Sequence, residues 1–342
     1  MNNPIFERLL PSPKNGGFKM EDYYIWCGSA IRGEDNRFHI FASRWKKDLG
    51  FGYNWLFNCE IVRAASSNPE GPYTFEEVIF KRRDRHYFDA MNQHNPSIKF
   101  WNGTYYLFYF GTSYGGTIPG PGDIITPERA VEVINNKRIG LATSKSVYGP
   151  WTRADEPVLM PRSPGHWDCT FTTNPSAAIL PDGTTYLIYK SREQAGGTLQ
   201  LGLAVAKRPE GPYERVQNEP IFKFSNPDFH VEDPYLWFED GQFHILMKDD
   251  FKNDCGGITG EWGAGVYAAS LDCIHWNICP HPKAYSRNVK WDDGTTSVQC
   301  NLERPNLLFI DGKPTHLFLA TGMGPRSWEF TETWNMVIPL RV

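Results

Sequence analysis

The sequence predicts an all-β chain folded as a five-bladed β-propeller of four-stranded antiparallel blades. Three observations carry that reading. A hairpin-shaped segment recurs five times along the 342 residues, a Gly-Pro turn unit follows most of its copies, and long helical periodicity is nearly absent. Composition agrees: aromatic residues make up 15% of the chain, which also holds 31 Gly and 26 Pro. That mixture suits short strands joined by many turns.

The first half of each repeat opens on a polar pair, usually followed by Pro. The five openings are Glu21-Asp22-Tyr23, His94-Asn95-Pro96, Thr173-Asn174-Pro175, Glu232-Asp233-Pro234 and Glu303-Arg304-Pro305. A short apolar strand leads from each opening into a turn: Glu34-Asp35-Asn36, Asn102-Gly103, Asp182-Gly183, Asp240-Gly241 and Asp311-Gly312. Asn-Gly and Asp-Gly tolerate the positive φ that a two-residue hairpin demands. The returning strands are aromatic and branched, as in Tyr105-Tyr106-Leu107-Phe108 and Tyr186-Leu187-Ile188-Tyr189.

The second half adds another hairpin. Strands at 61–66, 139–144 and 201–206 run into Gly71-Pro72-Tyr73, Gly149-Pro150-Trp151 and Gly211-Pro212-Tyr213. A degenerate copy runs from 266 to 270 into His275-Trp276. The Gly-Pro pair breaks the ladder and forces a turn. Two hairpins per repeat make a four-stranded sheet, and five such sheets make a propeller. The repeats leave long loops at 113–137, with a short helix expected at 127–134, and at 253–265, which is Gly-rich. Such loops are candidate site walls. No linker divides the chain, so one domain spans 1–342.

Several classes are excluded. The formal net charge is −4, and the one basic block, Lys81-Arg82-Arg83, reads as a solvated face, so no nucleic-acid partner is expected. No apolar run is long enough to span a membrane, and no membrane partner is expected. The first thirty residues carry Pro and charge without an apolar signal core. The expected location is cytoplasmic, or exported if a leader has been removed. The seven cysteines are odd in number and lack C-x-x-C spacing, so they read as buried free thiols rather than zinc ligands.

Blades are related by rotation about one axis, so equivalent openings ring one end of the channel. Asp22, Asn95, Asn174, Glu232, Asp233, Glu303 and Arg304 are thereby expected to converge. Asn95 and Asn174 are equally explained as strand-starting side-chain turns. A Glu beside an Asp, as at Glu232, is not, because burying both costs desolvation. Carboxyl groups sharing one concavity split their pKa values. An acid and a carboxylate together are what glycoside hydrolysis needs.

With its Gly-Pro-aromatic turns, this pattern resembles glycoside hydrolase family 43 and its five-bladed relatives, families 32, 62, 68 and 117, over about 20–342. The resemblance implies an Asp base in the first blade, matched by Asp22, although Tyr23 replaces the usual Pro. It implies a Glu general acid, matched by Glu232 two residues before Pro234. The third-blade Asp that tunes the acid is Asn174 here, and Asp168 is expected to substitute, with Asp89 and Asp233 as alternatives. In the manner of family 117 a His could be the acid, which directs attention to His94, His166 and His230. Substrate contacts are expected from Asn95, His94, Asn174, Glu303, Arg304 and Trp167. Trp26, Trp45, Trp55 and Trp262 are further candidate platforms for a sugar face.

The resulting expectation is a glycosidase that removes a terminal sugar from an oligosaccharide or polysaccharide side chain by acid/base catalysis, with inversion. Asn174 and Tyr23 motivate an alternative, a sugar-binding propeller without catalysis. A glycoside phosphorylase using Arg44, Arg192 or Arg304 for phosphate is a third. No cofactor is expected. Related propellers sometimes hold calcium in the channel, but no loop here specifies the six to eight oxygens that ion needs.

Overall fold

The computed structural model describes residues 3–253 and 255–342; Asp254, within the expected Gly-rich loop, lies outside the described residues. Blade I consists of β1 (Tyr23–Arg32), β2 (Phe38–Lys46), β3 (Glu60–Ser66) and β4 (Thr74–Val78). Blade II follows with β5 (Asn92–Trp101), β6 (Thr104–Thr112), β7 (Arg138–Ser144) and β8 (Thr152–Arg153). Blade III holds β9 (Thr173–Ile179), β10 (Thr185–Ser191), β11 (Gln200–Ala206) and β12 (Glu214–Arg215). Blade IV holds β13 (Phe229–Glu239), β14 (Gln242–Phe251), β15 (Gly265–Ser270) and β16 (Asn277–Tyr285). A small hairpin, β17 (Asn288–Lys290) and β18 (Thr296–Val298), leads to blade V, formed by β19 (Leu302–Ile310), β20 (Lys313–Met323) and β21 (Glu332–Pro339).

Each blade is an antiparallel meander in chain order. The fourth position of blade V is taken by the N-terminal segment, which bridges β21 through Phe18 and Asn335 and continues to a Leu9–Leu340 bridge. The two ends of the chain are thus tied into one sheet. The inner strands β1, β5, β9, β13 and β19 each pack on two neighbours and close a ring through β19 on β1. The helix expected at 127–134 is present as α1 (Pro127–Asn135), capped by the Thr126 side chain and begun by a proline. Among the described residues no helix is long and apolar enough to cross a membrane.

Apolar faces of adjacent blades interlock around the ring. Phe41, Ile61, Leu107 and Tyr109 fill the gap between blades I and II. Phe108, Leu141, Leu187 and Tyr189 fill that between II and III. Ile188, Leu203, Leu236 and Ile245 join III to IV, and Leu246, Tyr267, Leu307 and Leu319 join IV to V. Phe18, Ile25, Ile40, Phe318 and Val337 close V onto I. All of these side chains are buried.

Every inner strand carries the same irregularity: the register slips between Trp26 and Ser29 in β1, His94 and Ser97 in β5, Glu232 and Tyr235 in β13, and Glu303 and Asn306 in β19. In blade III it lies between Thr173 and Ser176 of β9, opposite Lys190 and Ile188. The residue in the slip has positive φ: Cys27 (54°), Asn95 (53°), Asn174 (51°), Asp233 (58°) and Arg304 (57°). An extra residue of this kind is a β-bulge, and the left-handed conformation turns its side chain out of the ladder. This corrects the repeat register in blade I. The equivalent of Asn95 is Cys27, not Asp22, and the place of the proline is taken by Gly28. Asp22 is exposed, ahead of β1. The spacing to the hairpin turn carried this signal: Asp22 stands nearly twice as far from its turn as the other openings do.

The N-terminal closure is testable. Replacing Phe18, fully buried between blades V and I, with Ala is expected to cost about 3–5 kcal/mol in denaturant unfolding. Phe6, which is 45% exposed, should tolerate the same change within about 0.5 kcal/mol. Equal effects at both positions would mean the terminal segment does not close the ring.

Candidate active site

The five bulge residues meet on the axis and bond to one another. Cys27 Sγ donates to Asn95 Oδ1 at 2.6 Å, Asn95 Nδ2 to Asn174 Oδ1 at 2.7 Å, and Asn174 Nδ2 to Asp233 Oδ1 at 2.8 Å. Arg304 reaches the same Asp233 oxygen from the other side. Burial raises the Cys27 pKa, so the thiol keeps the proton it donates. Beyond this floor the channel narrows to a cavity of about 40 Å³ walled by Pro96, Pro175, Pro234 and Pro305. That is room for a few waters, so a sugar entering on the side where the inner strands begin does not pass along the axis.

On that side stand the residues just before the bulges: Trp26, His94, Thr173, Glu232 and Glu303. Each faces its partner on the second strand of its blade, which pairs Thr173 with Lys190 and Glu232 with Lys248. Both lysines reach forward to the next blade. Lys190 Nζ lies 2.5 Å from Glu232 Oε2, and Lys248 Nζ lies 2.7 Å from Glu303 Oε1 and 3.9 Å from Glu232 Oε1. Burial alone would push the Glu232 carboxyl up. The Lys190 and Lys248 ammoniums outweigh it and hold that group well below the ordinary glutamate range. Asp233 moves the other way, up to about 6, through burial and the nearby charges of Glu232 and Glu303, with Arg304 opposing.

His230 and Asp250 complete the wall. His230 Nε2 lies 3.2 Å from Asp250 Oδ2, and Trp262 Nε1 donates to Asp250 Oδ1 at 2.7 Å. Candidate ligand atoms of His230, Glu232 and Asp250 all lie within 4.8 Å of one another. The side chains of these three retain 11%, 14% and 18% exposure, whereas those of Glu303 and Asp233 retain 2% and 1%. A sugar at the mouth therefore reaches the first three. As a metal site the trio fits poorly, because both Glu232 oxygens already face ammonium groups and a cation there would be repelled. Beside His230, a cleft of about 370 Å³ opens between blades III and IV, walled by Trp167, Gln200, Phe224 and Phe229.

The remaining sequence-predicted residues separate clearly. Asn95, Asn174 and Arg304 form the floor with Asp233. His94 is buried between Cys59 Sγ (3.0 Å) and Cys27 Sγ (3.5 Å). Burial and the charges of Arg304, Lys137 and Lys190 lower its pKa well below the ordinary value, so it is neutral and cannot serve as the acid. His166 bonds its own loop at Ser163. Trp26 and Trp45 are buried, while Trp55 and Trp262 are partly exposed. Arg44 pairs with Glu60 and lies on the Tyr23 and Phe75 rings, outside the mouth.

Asp168 does not reach the ring. It is fully buried, accepts from Tyr189 Oη at 2.7 Å, and sits between Arg162 (2.5 Å) and Arg215 (2.6 Å). Blade II contains its twin: Asp89 accepts from Tyr109 Oη at 2.7 Å between Arg83 (2.6 Å) and Arg153 (3.3 Å). An arrangement copied in two blades clamps a loop to its sheet. It does not tune one acid, so both Asp168 and Asp89 leave the catalytic set.

Sequence reasoning missed Cys27, Cys59, Lys137, Lys190, Lys248 and Asp250. A signal was available for two of them. Lys190 and Lys248 end the apolar runs Tyr186-Leu187-Ile188-Tyr189 and Ile245-Leu246-Met247, where a lysine is out of place unless it has a buried partner.

With this geometry in hand, comparison with known proteins gives a consistent fold. No protein-family model matches the chain, and no curated protein matches it either. Solved structures do. Zg3597, a family 117 glycoside hydrolase of the marine bacterium Zobellia galactanivorans, is 17% identical with a TM-score of 0.66, over 99% of this chain and 92% of its own. BT0996, in a complex with RGII, is 14% identical with a TM-score of 0.69, over 98% and 93%. The catalytic domain of the Coprinopsis cinerea family 62 α-L-arabinofuranosidase is 13% identical with a TM-score of 0.63, over 99% and 98%. The chain therefore has the five-bladed propeller fold of glycoside hydrolases.

The twin clamps give a prediction. Asp168→Ala and Asp89→Ala each leave two half-buried arginines and a buried tyrosine hydroxyl without their acceptor and should each cost up to about 3–5 kcal/mol of stability. For Asp168, burial raises the carboxyl pKa, but Tyr189, Arg162 and Arg215 outweigh it and leave it lowered. Its stabilisation is therefore full above the unfolded value of about 3.9 and is lost as pH falls through the depressed folded value. Denaturant melts from pH 7 to 2 check this. Full stability with lost turnover in Asp168→Ala alone would restore a catalytic role.

Proposed function

We propose that this protein is a glycosidase acting on a terminal sugar held at the mouth of the propeller. The observation that carries the reading is the grouping of His230, Glu232 and Asp250, all partly exposed at the mouth, with Glu232 held ionised by two lysines. The fold shared with glycoside hydrolases supports it. An ionised Glu232 fits poorly with the general-acid role read from the sequence and well with attack on, or stabilisation of, the anomeric carbon.

His230 then supplies the proton. The proton is the one on Nε2, shared with Asp250 at the mouth, because Nδ1 is buried and has no protein partner. In this mechanism His230 protonates the glycosidic oxygen as the bond to the leaving group breaks, and a Glu232 oxygen bonds the anomeric carbon. Water then displaces Glu232 and returns a proton to His230. The grouping is tighter than the roughly 6.5–9.5 Å that an interposed water requires between the two catalytic groups. Retention is therefore proposed in place of the inversion expected from the sequence. The cleft beside His230, with Trp167 stacked on Tyr189 at its edge, suits the departing portion of the substrate.

The test is hydrolysis of aryl arabinofuranosides, xylosides, galactosides and galactofuranosides, with the product anomer followed by proton NMR. Glu232→Gln and His230→Asn should each lower the rate by on the order of 10²–10⁴-fold, Asp22→Asn should not change it, and the first-formed anomer should retain configuration. An inactive Asp22→Asn protein of native stability would overturn the assignment. Sugar binding without turnover of any glycoside would favour a non-catalytic binding propeller.

A further inference from the structure

The mouth holds two cations that no carboxylate among the described residues pairs with. Lys137, between α1 and β7, is buried to 7% exposure, and among the described residues its ammonium has no carboxylate or hydrogen-bond partner. It lies 4.5 Å from the Trp55 ring, 5.2 Å from Phe110 and 5.6 Å from Phe171. Arg192, just past the end of β10, places its guanidinium 5.4 Å from the same Phe171 ring, and its Nε is buried without an acceptor. No carboxylate pairs with it among the described residues. Around them the field is positive: Lys190, Arg304 and Arg192 all act on Lys137, with Glu232 opposing.

The contrast with neighbouring cations is sharp. Lys190, Lys248 and Arg304 are each matched to an acid, and both arginine pairs of the clamps share an aspartate. A buried cation without a partner is costly, and the fold shows at five other places that it can supply one.

We propose that the sugar accepted at this mouth carries an anionic group, a carboxylate or a sulfate ester, which docks between Lys137 and Arg192. The proposal rests on the carbohydrate reading above and names the substrate class. The Arg192 guanidinium offers paired donors suited to an oxyanion, and Lys137 a compact charge. Trp55, partly exposed beside Lys137, offers a flat apolar surface that suits the sugar ring bearing the anion. A free phosphate needs polar donors on all sides and gains nothing from such rings.

The experiment is calorimetric titration of the intact chain with glucuronate, galacturonate, glucose 6-sulfate, glucose, galactose and inorganic phosphate. Lys137→Met, Arg192→Met and Lys137→Arg are compared with wild type, each verified by thermal melting. At least one acidic sugar should bind roughly ten- to hundredfold more tightly than its neutral parent. That preference should vanish in both Met variants and persist in Lys137→Arg. Neutral sugars binding as tightly as acidic ones would overturn the anionic preference and leave the carbohydrate reading intact. Phosphate binding that is lost in the Met variants, without acidic-sugar binding, would also overturn it and assign the cations to a phosphate co-substrate. No binding of any sugar would remove both proposals.

Discussion

The circuit Cys27–Asn95–Asn174–Asp233–Arg304 is the constraint on which the rest of the site depends. Five strands start together around one axis, and each must turn one side chain inward at the bulge. Left-handed backbone is inexpensive for Asn and Asp but costs on the order of 1–3 kcal/mol for residues such as Cys and Arg. The fold carries that cost at Cys27 and Arg304 because the five inward groups must satisfy one another away from water. One thiol donor, two amides that pass the donor–acceptor sense along, one carboxylate and one guanidinium complete the arrangement without a leftover charge.

That closure dictates where chemistry can occur. Because the floor is charge-balanced and shut beyond it, reactive groups have to come from the row above, and there the blades differ. Blades I to III open on Trp26, His94 and Thr173, which pack or stay neutral. Blades IV and V open on Glu232 and Glu303, and each glutamate takes a lysine from the preceding blade. The buried pairs cost desolvation, and they also fix protonation. Glu232 is kept ionised beside a histidine that has an aspartate behind it, which is a division of roles between neighbours set by environment.

The fold was legible because strand alternation, hairpin turns and Gly-Pro pairs are local signals, repeated five times over. The helix at α1 was legible for the same reason, through Thr126 and Pro127. The site was legible where the signature was intact, as at Glu232-Asp233-Pro234 and Glu303-Arg304-Pro305. It failed in blade I, where Gly28 replaces the proline and a polar pair at Glu21-Asp22 imitates the motif a few residues early. It failed again at Asp168, since nothing local distinguishes an aspartate aimed at a channel from one clamped between two arginines. Only the recurrence of Tyr, Asp and two Arg in blades II and III separates them. Lys137 and Asp250 were invisible because their meaning lies in what surrounds them across blades.

The same division explains how a chain 13–17% identical to solved glycoside hydrolases can keep their fold over nearly its whole length. What the architecture demands is a bulge, an inward polar group and an apolar second strand in each blade, and many sequences meet those demands. The identity of the row above the floor is free to vary, because its charged members, Glu232 and Glu303, are balanced by lysines from the preceding blade rather than by the backbone. Lys137 and Arg192 are two charges at the mouth that no carboxylate among the described residues matches. Where the neighbouring Lys190, Lys248 and Arg304 each meet an acid, an open charge points outward, to what the mouth binds.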